Sequence, residues 1–294
     1  MRQQQLLLKR QGATVGSIPC EDIGVILVDH PGTTYSHAAL ASLADADATL
    51  VVCGPDHLPS AMLMPLSDHS QIVWRLNEQI NVSKPIRKQL WKQIVQAKIR
   101  AQAENITRES PVRNKLISLA AGMRSGDPRN VEAQAAKAYW QAFLPEECFR
   151  RDKNATGLNG MLNYGYAVLR AAVARALVGA GLLPALGIHH RHRSNAFCLA
   201  DDLMEPLRPL VDDRARELYR QGYEELTQEA KAELLKVLSD PVSLDGDSGP
   251  LMVSLHRITA SLVKCYQGEV KKLAIPTAMP GESREPESTI VGSD

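Results

Sequence analysis

Residues 23–54, IGVILVDHPGTTYSHAALASLADADATLVVCG, decide the fold of the first part of the chain. The runs 23–28 and 49–53 are rich in β-branched residues and end at turn-forming residues, which predicts two strands. Between them, Ser36 precedes an alanine- and leucine-rich stretch and is expected to cap a short helix. With the short apolar runs that come before residue 23, this predicts a β-rich unit over residues 1–70.

From about residue 71 the composition changes to long segments of Ala, Leu, Gln, Glu, Lys and Arg with helical spacing. Prolines interrupt these segments at intervals that suit a series of helices. We therefore expect an α+β protein, with a small β-rich N-terminal domain and a larger all-helical C-terminal domain over residues 71–275. Residues 276–294 are proline-rich, contain few large apolar residues and show no periodicity, which predicts a disordered tail.

Composition excludes several classes of protein. The 294 residues and 44% hydrophobic content are enough for about two domains with a real core. No apolar run is long enough for a membrane span or a signal peptide, so we expect a cytoplasmic protein with no membrane partner. Five scattered cysteines without a CxxC spacing indicate neither a disulfide framework nor a zinc knuckle.

The net charge of +1 conceals a strongly uneven distribution. Residues 1–70 carry a net charge of −4, residues 71–200 carry +12 and residues 201–294 carry −7. A block of excess positive charge suits a DNA backbone, although solvated helix faces give the same composition. The total therefore excludes only indiscriminate, polycation-like binding.

Glu132 lies in the first turn of a predicted helix that Asn130 is expected to cap. By itself this glutamate needs no function, because an acidic side chain at a helix N-terminus interacts favourably with the helix dipole.

The segment GIHHRHRSNAFCLADDLMEPLRPLVDD, residues 187–213, is harder to explain by structure alone. Three histidines and two arginines share one short polar stretch, and Asp202 and Glu205 follow at helical i, i+3 spacing. If Asp201 caps that helix, two like charges share one face, and a divalent cation would convert their repulsion into binding. A polar loop followed by an acidic helix start remains the alternative interpretation.

Other chemistries lack their basic requirements, since the chain contains no GxGxxG, GxxxxGK[ST], GxSxG or HExxH motif. A zinc site made by His189, His190 and His192 stays open as a weaker hypothesis, because adjacent histidines in a loop rarely converge on one centre.

Four strings in this order, GDPRNVEAQAAKAYW, LNGMLNYGYAVLRA, GLLPALGIHHRHRSNAF and LADDLMEPLRPLVD, resemble the CRISPR-associated integrase family, the first-numbered Cas protein, in its type II version. The similarity runs from about residue 6 to about residue 270. It implies a small β-rich domain followed by a larger helical one. Members usually carry one more strand before the segment that matches residues 5–8, so the resemblance implies that this strand is missing or the sheet abbreviated here.

The resemblance also assigns a catalytic site that binds Mg²⁺ or Mn²⁺. The ligands carry over as Glu132 from the N-x-E-A helix, His190 from the G-I-H-H turn and Glu205 from the D-L-M-E-P helix. Asp202 is expected as an outer ligand or a supporting partner. Supporting roles fall on three further residues in matched motifs: His189, Asn163 and Arg170.

The implied function is a metal-dependent DNA endonuclease and integrase that inserts protospacer DNA into the CRISPR array by transesterification, for antiviral defence. Implied partners are double-stranded protospacer and repeat DNA, a second copy in a homodimer, the second-numbered Cas protein in a heterohexamer, and other type II acquisition proteins. A non-catalytic DNA-binding scaffold of the acquisition complex is the alternative.

Overall fold

The computed structural model describes residues 5–55, 59–65, 69–147 and 149–279. In chain order the strands and helices are β1 (Gln5–Arg10), β2 (Ala13–Pro19), β3 (Val25–Val28), α1 (His37–Asp45), β4 (Thr49–Cys53), β5 (Pro59–Leu63), α2 (Ile72–Asn81), α3 (Lys84–Glu104), α4 (Pro111–Ala121), α5 (Val131–Phe143), α6 (Leu158–Gly179), α7 (Cys198–Met204), α8 (Arg208–Arg220), α9 (Gln228–Leu235), β6 (Pro241–Leu244), β7 (Asp247–Pro250), α10 (Leu251–Gln267) and β8 (Thr277–Ala278). Strands thus dominate the start of the chain and helices the remainder. The predicted α+β class is confirmed.

The N-terminal strands form two small sheets. β1 and β2 make an antiparallel hairpin, whereas β3 pairs in parallel with β4, and β4 pairs with β5 in antiparallel orientation. Helix α1 makes the connection that a parallel pair requires. Its predicted cap is confirmed, because the Ser36 side chain accepts a hydrogen bond of 3.1 Å from the backbone N–H of Ala39.

Helix α6 is the centre of the helical part. Most of its side chains are buried on all sides, which is the pattern of a helix surrounded by others. The strands β3, β4 and β5 and the helices α7, α8, α9 and α10 all pack against it. Gly165 allows the close approach of α8, since a Cβ there would lie 2.4 Å from Cγ1 of Val211.

The sequence predicts an all-helical C-terminal part, but the structure shows a part that is only mostly helical. A three-stranded sheet of order β7-β6-β8 lies among its helices. The turn after β6 places Asp245 and Gly246 at positive φ, as a tight two-residue hairpin turn requires. The predicted disordered tail also begins too early, because Thr277–Ala278 pair with β6; residues 280–294 lie outside the described ranges.

Across the described residues, the helices include none that combines the length and apolar character needed to cross a lipid bilayer.

Candidate active site: two carboxylates at one buried lysine

Glu132 is positioned by a cap that differs from the predicted one. Asn130 has a left-handed backbone with φ of 50° and makes no side-chain capping bond. Instead, the Asp127 carboxylate accepts hydrogen bonds from the backbone N–H groups of Val131, at 2.7 Å, and Glu132, at 3.0 Å. The expectation for Asn130 is wrong because the turn places an acceptor three residues earlier over the open helix end.

Glu205 lies where the chain turns between two helices. Helix α7 runs from Cys198 to Met204, and Glu205 begins a short 3-10 turn that Pro206 continues into α8. Its side chain is only 7% exposed, so its charge requires compensation within the protein. The sequence suggests Asp201 as the cap of α7. In the structure Asp201 lies inside this helix, which starts three residues earlier, at Cys198.

The ammonium group of Lys98, on α3, joins the two carboxylates. Lys98 Nζ donates a hydrogen bond of 2.8 Å to Oε1 of Glu132, and it lies 2.6 Å from Oε2 of Glu205. The second contact is a close ion pair between buried groups. On the other side, Arg208 Nε lies 3.0 Å from Oε1 of Glu205.

These contacts favour the charged forms of Lys98, Glu205 and Arg208. Burial alone would lower the pKa of Lys98, but the charges of Glu205 and Glu132 outweigh it and the pKa is raised. Burial likewise pushes the pKa of Glu205 upward, and Arg208 and Lys98 reverse this so that the pKa is lowered. The centre is therefore a compact ionic cluster of two carboxylates and two cations.

His190 is held by Asp202 within range of the charge of Glu205. The fully buried Asp202 carboxylate lies 2.6 Å from Nδ1 of His190, and it accepts backbone N–H bonds from His189 at 2.9 Å and from His190 at 3.2 Å. Gly187 makes this turn possible, because a Cβ there would lie 2.3 Å from the His190 carbonyl oxygen. The hydrogen bond to Asp202 raises the pKa of His190 despite partial burial, and the charge of Glu205 adds to the effect.

The other predicted site residues have different contacts. The ring of His189 stacks on buried Trp91, with centroids 4.1 Å apart and planes 3° from parallel. Arg170 donates a 2.7 Å bond to Asp201, which anchors the loop that follows the histidines. The Asn163 side chain binds the loop over residues 149–157 and makes no contact with the carboxylates.

The structure thus brings Glu132 and Glu205 to one point and fixes His190 by its Nδ1 atom. No three Asp, Glu, His or Cys side chains gather as a metal site within the described ranges; Lys98 lies between the two carboxylates instead. The donor chemistry nevertheless fits a hard divalent cation, since two carboxylates converge and a carboxylate on Nδ1 leaves Nε2 of His190 as a ligand. The zinc alternative gains no support, because His189, His190 and His192 contact Trp91, Asp202 and Ser194 respectively.

A second buried carboxyl group lies next to the cluster. Asp212, on α8, accepts hydrogen bonds from the hydroxyl groups of Tyr139, at 2.9 Å, and Tyr166. Burial raises the pKa of Asp212 to about 6, and the two tyrosines and Arg208 only partly oppose this rise. The Arg208 guanidinium lies 4.6 Å from the centre of the Tyr166 ring and so links the two regions.

Sequence reasoning missed Lys98, Arg208 and Trp91. Lys98 is one of several lysines on α3, and nothing in its neighbourhood in the sequence marks it as the buried one. The sequence does indicate that Arg208 pairs with Glu205, because the two residues lie at i, i+3 spacing.

Basic side chains flank the centre on two sides. A cavity of about 410 Å³ opens beside His190, and its lining includes Arg87, Arg191, His192 and Arg193. Before Glu132, the turn that carries exposed Arg124 and Arg129 is bonded to α3 through the Lys88 carbonyl oxygen, which accepts from the Gly126 N–H at 3.3 Å.

The fold and these groups define an α+β protein whose helical part carries a paired-carboxylate centre between basic loops. Comparison with known proteins narrows this class. The family described as CRISPR associated protein Cas1 matches residues 1–236, and the chain belongs to this family. The family prediction is therefore confirmed.

Similar proteins match nearly the whole length of the chain. A protein of Neisseria meningitidis serogroup C (strain 8013), named CRISPR-associated endonuclease Cas1, is 39% identical over 285 residues, covering 95% of this chain and 93% of that one. Among solved structures, a casposase bound to integration product has a TM-score of 0.74 at 19% identity, covering 90% of this chain and 85% of that one. A Cas6-RT-Cas1--Cas2 complex has a TM-score of 0.73 at 18% identity, covering 92% of this chain and 34% of that one. These two structures share the fold.

Proposed function

We propose that this protein is a divalent-metal-dependent DNA endonuclease and integrase that inserts protospacer DNA into a type II CRISPR array. One observation carries the proposal: Glu132 and Glu205, on separate elements, meet at one cation, and the charge of Glu205 acts on a histidine that Asp202 orients. The endonuclease name of the Neisseria relative and the integration product bound to the casposase support the same class of chemistry.

In this proposal Glu132, Glu205 and His190 are the catalytic residues and hold Mg²⁺ or Mn²⁺. The bound cation would polarise the scissile phosphate and stabilise the charge on the leaving 3′ oxygen. The 3′-hydroxyl of the protospacer attacks a phosphorus atom at the edge of the repeat. One P–O bond forms, the bond to the repeat 3′ oxygen breaks, and the proton of the attacking hydroxyl ends on that leaving oxygen. With water as the nucleophile the same exchange is hydrolysis, the endonuclease activity.

The chain's own side chains supply the remaining requirements. Asp202 fixes the ring of His190, and Gly187 lets the turn close over that carboxylate. Basic side chains around the centre would contact phosphates. Exposed members in the basic block are Lys84, Lys88, Arg100, Arg108, Lys115, Arg124, Arg129, Lys137, Arg150, Lys153, Arg191 and Arg193. Binding through such contacts releases counterions, so we expect DNA affinity to fall steeply with salt.

The proposed partners are double-stranded protospacer and repeat DNA, a second copy of this chain and the second-numbered Cas protein in a heterohexamer. The Cas1--Cas2 complex among the structural relatives supports the last of these. Other type II acquisition proteins and a cytoplasmic location complete the proposal.

A strand-transfer assay with Mn²⁺ tests the catalytic assignment. Glu132→Ala, His190→Ala and Glu205→Ala should each lose integration and cleavage while retaining salt-sensitive DNA binding. An exposed acidic residue provides the matched control, Glu217→Ala, which should act as the wild type does. Normal strand transfer in all three site variants would refute the assignment.

One observation favours the alternative of a non-catalytic DNA-binding scaffold. Lys98 and Arg208 already neutralise the two carboxylates, as a purely structural ion cluster would require. A scaffold binds DNA without turnover, so metal-dependent cleavage or joining of branched DNA by the purified protein excludes it.

A further inference from the structure

Lys98 lies where a cation bound by both site carboxylates would have to lie. Its side chain is 12% exposed and reaches from α3 to the start of α5 and to the turn after α7. The nitrogen contacts one oxygen of each carboxylate, at 2.8 and 2.6 Å. Two elements far apart in the sequence are thus joined through one ammonium group.

We propose that Lys98 is a built-in cation that holds Glu132 and Glu205 together and that a divalent ion must displace in order to bind both. The inference rests on the proposed metal dependence. It makes Lys98 a positioning residue, which acts through the two carboxylates.

Charge is the first argument. Glu132, Glu205, Lys98 and Arg208 carry two negative and two positive charges, so the cluster is neutral as it stands. Adding a divalent ion while both cations stay would leave a buried excess of two positive charges, which is costly in a medium of low polarity. Withdrawal of the lysine ammonium halves that excess.

Space is the second argument. Magnesium binds carboxylate oxygens at about 2.0–2.1 Å, closer than an ammonium nitrogen approaches them. An ion that shares Oε1 of Glu132 and Oε2 of Glu205 would overlap the position that Lys98 Nζ now holds. Lys98 and such an ion therefore exclude each other.

Arg208 is not the group that is displaced. Its Nε atom lies 3.0 Å from Oε1 of Glu205, whereas Lys98 Nζ lies 2.6 Å from Oε2, and the Arg208 guanidinium packs over the Tyr166 ring. Because the Arg208 contact is made with the other oxygen of Glu205, Arg208 can stay when the ammonium leaves. The released ammonium is then available to an anion, and a DNA phosphate would favour cation loading.

Manganese binding to purified full-length protein tests this inference. Lys98→Met keeps the length of the apolar stem but removes the competing charge, so Mn²⁺ should bind about tenfold tighter or more, measured by calorimetry or by the free-Mn²⁺ signal in electron spin resonance. The exposed Lys272→Met is the matched control and should bind Mn²⁺ as the wild type does. Without metal, Lys98→Met should melt at a lower temperature than the wild type, and Mn²⁺ should raise its melting temperature by more.

If Lys98→Met binds Mn²⁺ with an affinity equal to or below that of the wild type, the displacement is overturned. A lysine that competes with the ion would weaken Mn²⁺ binding in the wild type, whereas a merely structural lysine would not. If neither protein binds Mn²⁺ and strand transfer proceeds without metal, the proposed metal dependence fails as well. Binding of Mn²⁺ by both at equal affinity refutes only the role of Lys98. The two failures are therefore distinguishable.

A second measurement uses the wild type and does not depend on how the variant folds. Reductive methylation read by peptide mass spectrometry should modify Lys98 slowly without metal and several-fold faster with Mg²⁺, since the displaced amine leaves its buried contacts. The exposed Lys272 should react at the same rate in both conditions. Labelling of Lys98 that Mg²⁺ leaves unchanged or slows refutes the displacement.

Discussion

Glu205 and Asp212 are two buried carboxyl groups seven residues apart in the chain, and their surroundings differ. Glu205 contacts Lys98 and Arg208, and these cations lower its pKa despite burial. Asp212 contacts two tyrosine hydroxyls, and burial raises its pKa to about 6. Hydroxyl donors satisfy a carboxylate without neutralising it, so neighbouring cations decide which carboxyl group keeps its charge to lower pH. The group that keeps its charge is the one better suited to bind a cation.

Removing a cation that contacts Glu205 should have the largest effect on the free energy of unfolding. Arg208→Leu leaves Glu205 with Lys98 alone, and we expect a loss of about 3–5 kcal/mol in the free energy of unfolding, measured by chemical denaturation. Pairing it with Glu205→Gln should recover a large part of the loss, because the uncompensated charge is then gone.

The control for Arg208 is an exposed ion pair. Arg220 lies 2.8 Å from Glu146, and both side chains are about half exposed, so Arg220→Leu should cost about 1 kcal/mol or less. Equal losses for Arg208→Leu and Arg220→Leu would contradict the contrast between the buried and exposed environments.

Asp212 should give stability a pH dependence of the opposite sign to that of a salt-bridged carboxylate. Its folded pKa of about 6 lies above the ordinary value of 3.8, so between these values the folded protein keeps a proton that the unfolded chain has lost. Its contribution is therefore full at low pH and is lost as the pH rises through about 6, a change on the order of 1–3 kcal/mol.

Asp212→Asn keeps the size of the side chain and one acceptor oxygen for a tyrosine hydroxyl but cannot ionise. The difference in unfolding free energy between Asp212→Asn and the wild type should grow in favour of the variant from about pH 4 to pH 7, followed by urea denaturation. Its neighbour Asp213 is half exposed and paired with Arg216, and Asp213→Asn should not reproduce this trend. A difference that is flat across this range would show that the Asp212 carboxyl is not held neutral.

Asp202 offers a third arrangement, a buried carboxylate that orients a histidine. Asp202→Asn should reduce metal affinity or strand transfer about 10–100-fold, because it loosens the ring of His190. Strand-transfer rates and Mn²⁺ titration check this, with the exposed Asp45→Asn as the control. Unchanged activity in Asp202→Asn would remove the positioning role.

Sequence could predict the elements and the acidic residues but not the partners that govern them. The composition change near residue 71 and the i, i+3 spacing of Asp202 and Glu205 are local features, and local features survive folding. That Lys98 is buried against Glu132 depends on how α3 packs against α5, which no local pattern encodes. The strands β6 to β8 were missed for the same reason, since a four-residue strand gains its stability from its neighbours.

The cap of α5 gives the smallest of the expected effects and tests whether sequence or structure assigns it correctly. Asp127→Ala removes the acceptor of the Val131 and Glu132 amides and should cost about 1 kcal/mol in unfolding free energy. Asn130→Gly should lower the free energy of unfolding by no more than roughly a few tenths of a kcal/mol, because Asn130 makes no side-chain bond and its φ of 50° suits glycine. The opposite order in thermal denaturation would restore Asn130 as the cap. Because Asp127 holds the N–H of Glu132 itself, its loss should also loosen that carboxylate against Lys98, so Mn²⁺ affinity should change in Asp127→Ala and stay constant in Asn130→Gly.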